Sequence, residues 1–269
     1  MKPVEFIYLS QEDIVSLQMP MDEVIPIVEN VFSEHGLGHF ENPPKPGIHP
    51  QPDGFIHGMP GYLPRQKAAG LKWVSSFSSN AALGIPPVMG LFILNDVRTG
   101  QPLAVMDCRW ITAMRTGAVS AVAARYLAVK NAAIVGIIGA GIQGRYNLLA
   151  LAAAMPTLKS VRVFDIHPQT SDDFVAAFAG KLQLQFEICQ SAQKVIEGAD
   201  IIVTATGRLD QPIFKEKWIS AGALVLPVHH RGWENRTLHR VDKFITDDWQ
   251  QLKLAHEKVG GFDGPLLKR

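Results

Sequence analysis

The sequence predicts an α/β protein, with an α+β N-terminal part over residues 1–128 and a doubly wound parallel sheet over residues 129–269. Three observations predict it. Short, wholly apolar runs alternate with helical stretches after Ala133. A clear β-hairpin precedes them. A glycine-rich loop joins the first apolar run to the first helix of the second part.

The N-terminal part opens with Ser10-Gln11-Glu12-Asp13, a helix cap with an acid three residues on. Ile14, Leu17, Val24, Ile27, Val28 and Val31 continue in helical rhythm, and the prolines predict breaks near Pro20 and at Pro26. Residues Glu41 to Pro52 are proline-rich and read as a loop. Leu71 and Trp73 against Lys72 and Val74 have the period of two of a strand. Gly90 to Asn95 and Pro102 to Asp107 flank the turn Asp96-Val97-Arg98-Thr99-Gly100. Arg109 to Ala128, alanine-rich and free of proline, reads as a long helix.

In the second part, Ile134 to Ile138 is apolar throughout, as a strand buried on both faces requires. Helices are predicted over Gln143 to Met155 and Ser171 to Lys181. Strands are predicted over Val161 to Phe164, Gln185 to Ile188, Ile201 to Ala205, Ala223 to Val228 and Lys243 to Thr246. Alternation of strand and helix means a parallel sheet with right-handed crossovers.

Gly139-Ala140-Gly141-Ile142-Gln143-Gly144 fits G-x-G-x-x-G directly after a buried strand and at the start of a helix. That context makes it a dinucleotide loop of Rossmann type. Gly139 permits the turn, Gly141 lets backbone approach a pyrophosphate, and Gly144 lets helix and strand pack closely. The helix N-terminus supplies N–H groups and partial positive charge. Asp165 ends the second strand, where a carboxylate accepts hydrogen bonds from a ribose 2′-OH and repels a 2′-phosphate. Ile166 and His167 follow it rather than arginine, so NAD is expected over NADP. Thr204, Ala205, Thr206 and Gly207 end the fourth strand and are expected to border the nicotinamide ribose.

Arg115 shares a helical face with Ile111, Ala118 and Val122. A guanidinium on an apolar face needs an anion, either a structural carboxylate or that of a substrate. Lys72 lies mid-strand. It either points inward, to bind a carboxylate or move a proton, or is solvated outside. Lys45 alone reads as a surface lysine.

The formal net charge of +1 gives no global field for nucleic acid or an anionic membrane. The N-terminus lacks the apolar core of a signal peptide, and no apolar run reaches membrane-spanning length. A cytoplasmic protein is expected. Cys108 and Cys189 read as free buried thiols and sit in no metal-ligand spacing, so no metal is expected.

Several segments together resemble the ornithine cyclodeaminase/mu-crystallin family. They are Pro43-Pro44-Lys45, Gly58-Met59-Pro60, Leu71 to Ser75, Thr99 to Ala104, Thr112 to Ala118, the glycine loop, and Gly198-Ala199-Asp200 to Thr206. The resemblance implies a homodimer built through the first domain's sheet and C–N oxidoreductase chemistry at an amino or imino acid. It puts Lys72 and Arg115 on substrate-carboxylate positions, with Lys72 also a proton-transfer candidate. Lys45 stands where many members carry arginine. Two departures follow. His229-His230-Arg231, then Gly232-Trp233-Glu234, replace a segment bearing an acid in cyclodeaminases. The resemblance thus makes Arg231 a catalytic and His230 a substrate-contact candidate. The chain also ends at Arg269, sooner than is usual in the family, and the resemblance then implies either a more open substrate site or an altered activity. The expected reaction is NAD-linked hydride transfer at the α-carbon of an amino or imino acid. Cyclodeamination of ornithine and non-catalytic binding of a small carboxylate are the alternatives.

Overall fold

A computed structural model describes residues 3–259 apart from Asp53, Arg208, Asp210, His230 and Arg231. The chain divides into two compact units, Met1–Arg115 and Thr116–Arg269.

The first unit runs β1 (Ile7–Leu9), α1 (Gln11–Ser16), α2 (Met21–Gly36), β2 (Gly47–Gln51), β3 (Gly54–Leu63), β4 (Ala68–Phe77), β5 (Val88–Asn95) and β6 (Pro102–Asp107). Its six-stranded sheet has the order β1-β6-β5-β4-β3-β2. Strands β2 to β6 pair antiparallel, and β1 lies parallel to β6. Ser10 caps α1 as the sequence implies: its hydroxyl accepts from the Asp13 N–H, and the Asp13 carboxylate accepts from the Ser10 N–H at 2.7 Å. The β5–β6 turn is held by Asp96, which accepts from the Arg98 N–H at 2.9 Å and the Thr99 hydroxyl at 2.7 Å.

Two expectations for this unit need correction. Pro26 does not end a helix but lies inside α2. It is exposed, as is Asp22 one turn earlier, so the carbonyl that loses its N–H partner meets water while Met21, Val24 and Ile25 stay buried. The segment Glu41 to Pro52 is not all loop, because Gly47–Gln51 pairs with β3 at the sheet edge. Its register breaks between Ile48 and Gln51, around Pro50. An edge strand tolerates that proline because one side of it needs no donor.

Helix α3 (Arg109–Leu127) carries the division between the units. The second unit continues with β7 (Ile134–Ile138), α4 (Ile142–Ala154), β8 (Ser160–Phe164), α5 (Pro168–Phe178), β9 (Gln185–Ile188), α6 (Ala192–Ile196), β10 (Ile201–Thr204), β11 (Leu224–Pro227), α7 (Arg236–Arg240) and α8 (Trp249–Val259). Its five strands are all parallel, in the order β11-β10-β7-β8-β9. This is the doubly wound Rossmann arrangement, with β7 central. Val135, Ile137, Val161, Val163, Ile201 and Val203 belong to one buried cluster. Ile138, Val195, Ile196, Ile202 and Phe214 form another. Alternate residues of β7 and β10 serve different clusters, which is why these strands read as continuous apolar runs. The segment expected as a further strand, Lys243 to Thr246, is not a strand of either sheet. Phe244 and Ile245 stay exposed, so it has no sheet face to bury. Among the described residues no helix is long and apolar enough to cross a membrane.

Candidate active site

The loop after β7 is shaped by what its neighbours leave room for. Gly139 has φ +96, and a side chain there would begin 2.5 Å from the Ala205 carbonyl oxygen. A side chain on Gly144 would overlap the Gly139 carbonyl oxygen. Both glycines are therefore demanded by packing. Gly141 is different. It caps α4 with an ordinary φ of −72, and a Cβ built on it meets nothing within 4 Å. The protein itself does not need glycine there; an open cradle at a helix N-terminus does.

Asp165 stands beside this cradle. Its Oδ2 accepts from the Ala140 N–H at 2.9 Å, and its Oδ1 accepts from the His167 N–H at 3.0 Å. Ile166, the next residue, is 78% exposed, an apolar surface beside the carboxylate. Ile142 opens α4 and is also exposed. Within the cradle's first helical turn, the buried Gln143 Oε1 has no hydrogen-bond partner among the described residues.

The end of β10 divides its residues by role. Thr204 is buried, and its hydroxyl accepts from the Trp233 indole N–H at 3.4 Å. Ala205 is half-buried and backs Gly139. Among the described residues the buried Thr206 hydroxyl oxygen has no hydrogen-bond partner. Two orphaned polar atoms, an open cradle and a carboxylate at the carboxyl edge of the sheet all fit a dinucleotide. Asp200, by contrast, accepts from the N–H groups of Ala133 and Ile134 at 2.8 and 2.9 Å, tying down the opposite end of β7.

In the first unit, Lys72 is half-buried and lies on the same sheet face as buried Val74. Burial pushes its ammonium down to about 8, with Arg115 adding to the effect and Lys45 contributing less; the Cys108 thiol acts the other way. The structure thus brings Lys72, Arg115 and Lys45 into one electrostatic cluster. Among the described residues, Lys72 has no carboxylate within salt-bridge distance. Lys45 and Arg115 are exposed. For Arg115 this corrects the premise of a guanidinium on an apolar face: Ala118 and Val122 are buried, but Arg115 is not. Arg115 is exposed although Ala113 and Met114 before it and Ala118 after it in α3 are buried, so it stands on the helix's open side.

Cys108 is a neighbour that residue patterns did not connect to Lys72. It is fully buried between β6 and α3, and burial pushes its thiol up, against the pull of a Thr112 hydrogen bond and the Lys72 charge. Both cysteines are free. His230 and Arg231 lie outside the described residues. His229 is described, and its N–H points to the Thr204 carbonyl at 3.4 Å. Among the described residues no group of three or more His, Cys, Asp or Glu is placed to hold a metal.

A five-stranded parallel sheet with this loop and this carboxylate defines a dinucleotide-binding Rossmann protein. The chain belongs to the ornithine cyclodeaminase/mu-crystallin family, whose profile it matches over residues 5–245. It is 41% identical over 247 residues to the nodulation efficiency protein NfeD of Rhizobium meliloti, covering 91% of this chain and 76% of that one. Its fold is similar to Delta(1)-pyrroline-2-carboxylate reductase of Thermococcus litoralis, solved in complex with NADH and L-proline. There the TM-score is 0.87 and the identity 33%, over 96% of this chain and 83% of that one. An archaeal alanine dehydrogenase dimer with bound NAD gives a TM-score of 0.83 at 32% identity, over 94% and 79%.

Proposed function

We propose that this protein is an NAD-dependent oxidoreductase that moves a hydride between the cofactor and the α-carbon of a small amino or imino acid. The observation that carries this reading is Lys72: a half-buried ammonium clustered with two further cations and facing no described carboxylate. A ligand anion beside Lys72 would offset its desolvation and the repulsion of its neighbours. A substrate carboxylate fits, gripped by Arg115 through paired hydrogen bonds and by Lys72 and Lys45 as point charges.

The Gly139–Gly144 loop, Asp165 and the segment Thr204 to Thr206 are the residues that would hold the dinucleotide. Gly141 leaves room for the pyrophosphate at the α4 N-terminus. Asp165 would accept from the adenosine ribose hydroxyls and repel a 2′-phosphate, which favours NAD over NADP. Ile166 offers the adenine an apolar contact. Gln143 and Thr206 supply the polar atoms that the protein leaves unsatisfied. When bound, the nicotinamide supplies hydride acceptance or donation.

The chain's own groups handle the carboxylate and the proton. Fixing the carboxylate fixes the α-carbon, which turns an encounter into a near-attack geometry. Lys72, brought down to about 8, can hold a proton at Nζ for the substrate nitrogen and release it near neutral pH. The imine formed by oxidation is hydrolysed or, for a cyclic substrate, retained. The same groups serve the reverse direction. Arg231 as a further catalytic group and His230 as a further substrate contact belong to this reading.

A homodimer belongs to it as well. Trp73 and Leu91 are register partners on β4 and β5, and are 46% and 39% exposed. Tyr8 and Leu103 are exposed on β1 and β6 of the same sheet. So much aromatic and aliphatic surface on one sheet suits a second copy. A cytoplasmic setting agrees with two free thiols.

The test is to follow reduced-nicotinamide absorbance with a panel of amino acids and cyclic imines. Turnover on an amino acid or imine supports the proposal. NADH and carboxylate binding without turnover on the panel would leave a binding protein instead.

A further inference from the structure

Arg145 directly follows the last glycine of the loop and lies in the first turn of α4. A cation there opposes the positive end of the helix dipole, so the position alone disfavours it. Its side chain is half-buried. The Nε donates to the Ala140 carbonyl at 3.4 Å, folding the guanidinium back along the loop. Among the described residues it has no carboxylate partner. Four of its five N–H donors are left for other use.

Ala140 is thereby held from both sides. Its N–H donates to Asp165 and its carbonyl accepts from Arg145. The guanidinium lies one peptide away from Gly141, whose α-carbon opens onto empty space.

We propose that Arg145 is a cofactor-binding residue whose guanidinium donates to a phosphate oxygen of the dinucleotide's pyrophosphate, from the side of the loop. This rests on the dinucleotide reading given above. An anion there would remove the conflict with the helix dipole and give the half-buried guanidinium a counter-charge. The 2′-phosphate of NADP shares the same chemistry, but Asp165 occupies that corner and repels it.

The experiment measures binding of NADH, NADPH and ADP-ribose to the full chain and to its Arg145→Gln and Arg145→Lys variants by calorimetry, at low and high salt, alongside thermal unfolding. Arg145→Gln is expected to weaken NADH and ADP-ribose by roughly tenfold each and to flatten the salt dependence of both. Arg145→Lys should recover part of the loss, and the ligand-free variants should unfold at the wild-type temperature or above. Unchanged NADH affinity in Arg145→Gln overturns the proposal. So does a loss confined to NADPH, which would place the guanidinium on the 2′-phosphate. So does a loss that follows a fall in stability and is not eased by lysine. Wild-type protein that binds no NADH overturns the dinucleotide reading itself, and this proposal with it.

Discussion

The carbonyl oxygen of Gly139 lies where any side chain on Gly144 would begin, so β7 and α4 close on each other only with hydrogen at that position. Gly141, between them, is under no such constraint. Equivalent substitutions should therefore have opposite consequences. Gly144→Ala should destabilise the fold by about 1–3 kcal/mol through overpacking. Gly141→Ala should leave the melting temperature nearly unchanged and weaken NADH binding at least about tenfold, because its methyl group occupies the phosphate cradle. Paired thermal melts and NADH titrations check both. Full NADH affinity in Gly141→Ala would mean that the cradle holds no phosphate.

Asp165 should make the protein prefer NAD. Binding of NADP is expected to be weaker than that of NAD, and Asp165→Ala should narrow the gap by admitting the 2′-phosphate. Calorimetry with both cofactors decides it; comparable affinities in the wild type contradict the assignment.

Arg115 is exposed, so its removal should spare the fold. Arg115→Ala should keep NADH affinity and lose about 1.5–3 kcal/mol of substrate or carboxylate-inhibitor binding. A variant that unfolds while turnover per folded molecule is unchanged would make Arg115 a structural ion-pair partner.

Lys72 gives a pH dependence with a definite sign. Its ammonium is depressed to about 8 from 10.5 by burial, Arg115 and Lys45, with Cys108 opposing. A carboxylate binds the protonated form, so inhibitor affinity should fall as pH rises through about 8. In the ligand-free protein, the unfolded chain holds the proton more tightly than the folded one. The stability penalty is therefore fully present below about 8 and is relieved as pH climbs toward 10.5. Lys72→Met should accordingly raise the ligand-free melting temperature at neutral pH, by about 2–4 °C for each kcal/mol relieved. It should also remove the pH dependence of inhibitor binding. An inhibitor affinity that is flat across this range would exclude Lys72 as the carboxylate's partner.

The sequence was most readable where burial is complete. Strand β7 is apolar on both faces, so its run announced itself, and the loop and Asp165 could be placed from it. The β5–β6 hairpin was equally clear, because Asp96 and Gly100 carry turn chemistry that needs no tertiary contact. Strand β3 was not assigned, since Gly54, Gly58, Pro60 and Gly61 hide it, and its pairing comes from β4. Strand β2 was hidden by Pro50, which only an edge tolerates. Pro26 misled because a solvent-facing proline costs a helix less than its buried face contributes. Lys243 to Thr246 has a strand's composition but joins neither sheet, and Phe244 and Ile245 stay exposed. In the candidate site, Lys72 was ambiguous because alternation fixes a side chain's face but not what covers it. For Arg115 the wheel shows which residues share a face but not which part of that face is covered, since Ala118 and Val122 are buried and Arg115 is not. Arg145 carries no signal in the sequence, because a basic residue in a helix ordinarily means solvent.

The most direct test compares wild type and Lys72→Met in steady-state assays of reduced nicotinamide on alanine, glutamate, ornithine and a cyclic imine, with NADH affinity measured in parallel. The account predicts turnover on at least one of these by the wild type. It also predicts a loss of about 100-fold or more in kcat/KM for Lys72→Met with NADH affinity unchanged. Turnover that survives the loss of Lys72, or a wild-type protein that binds NADH and turns over none of the panel, would contradict it.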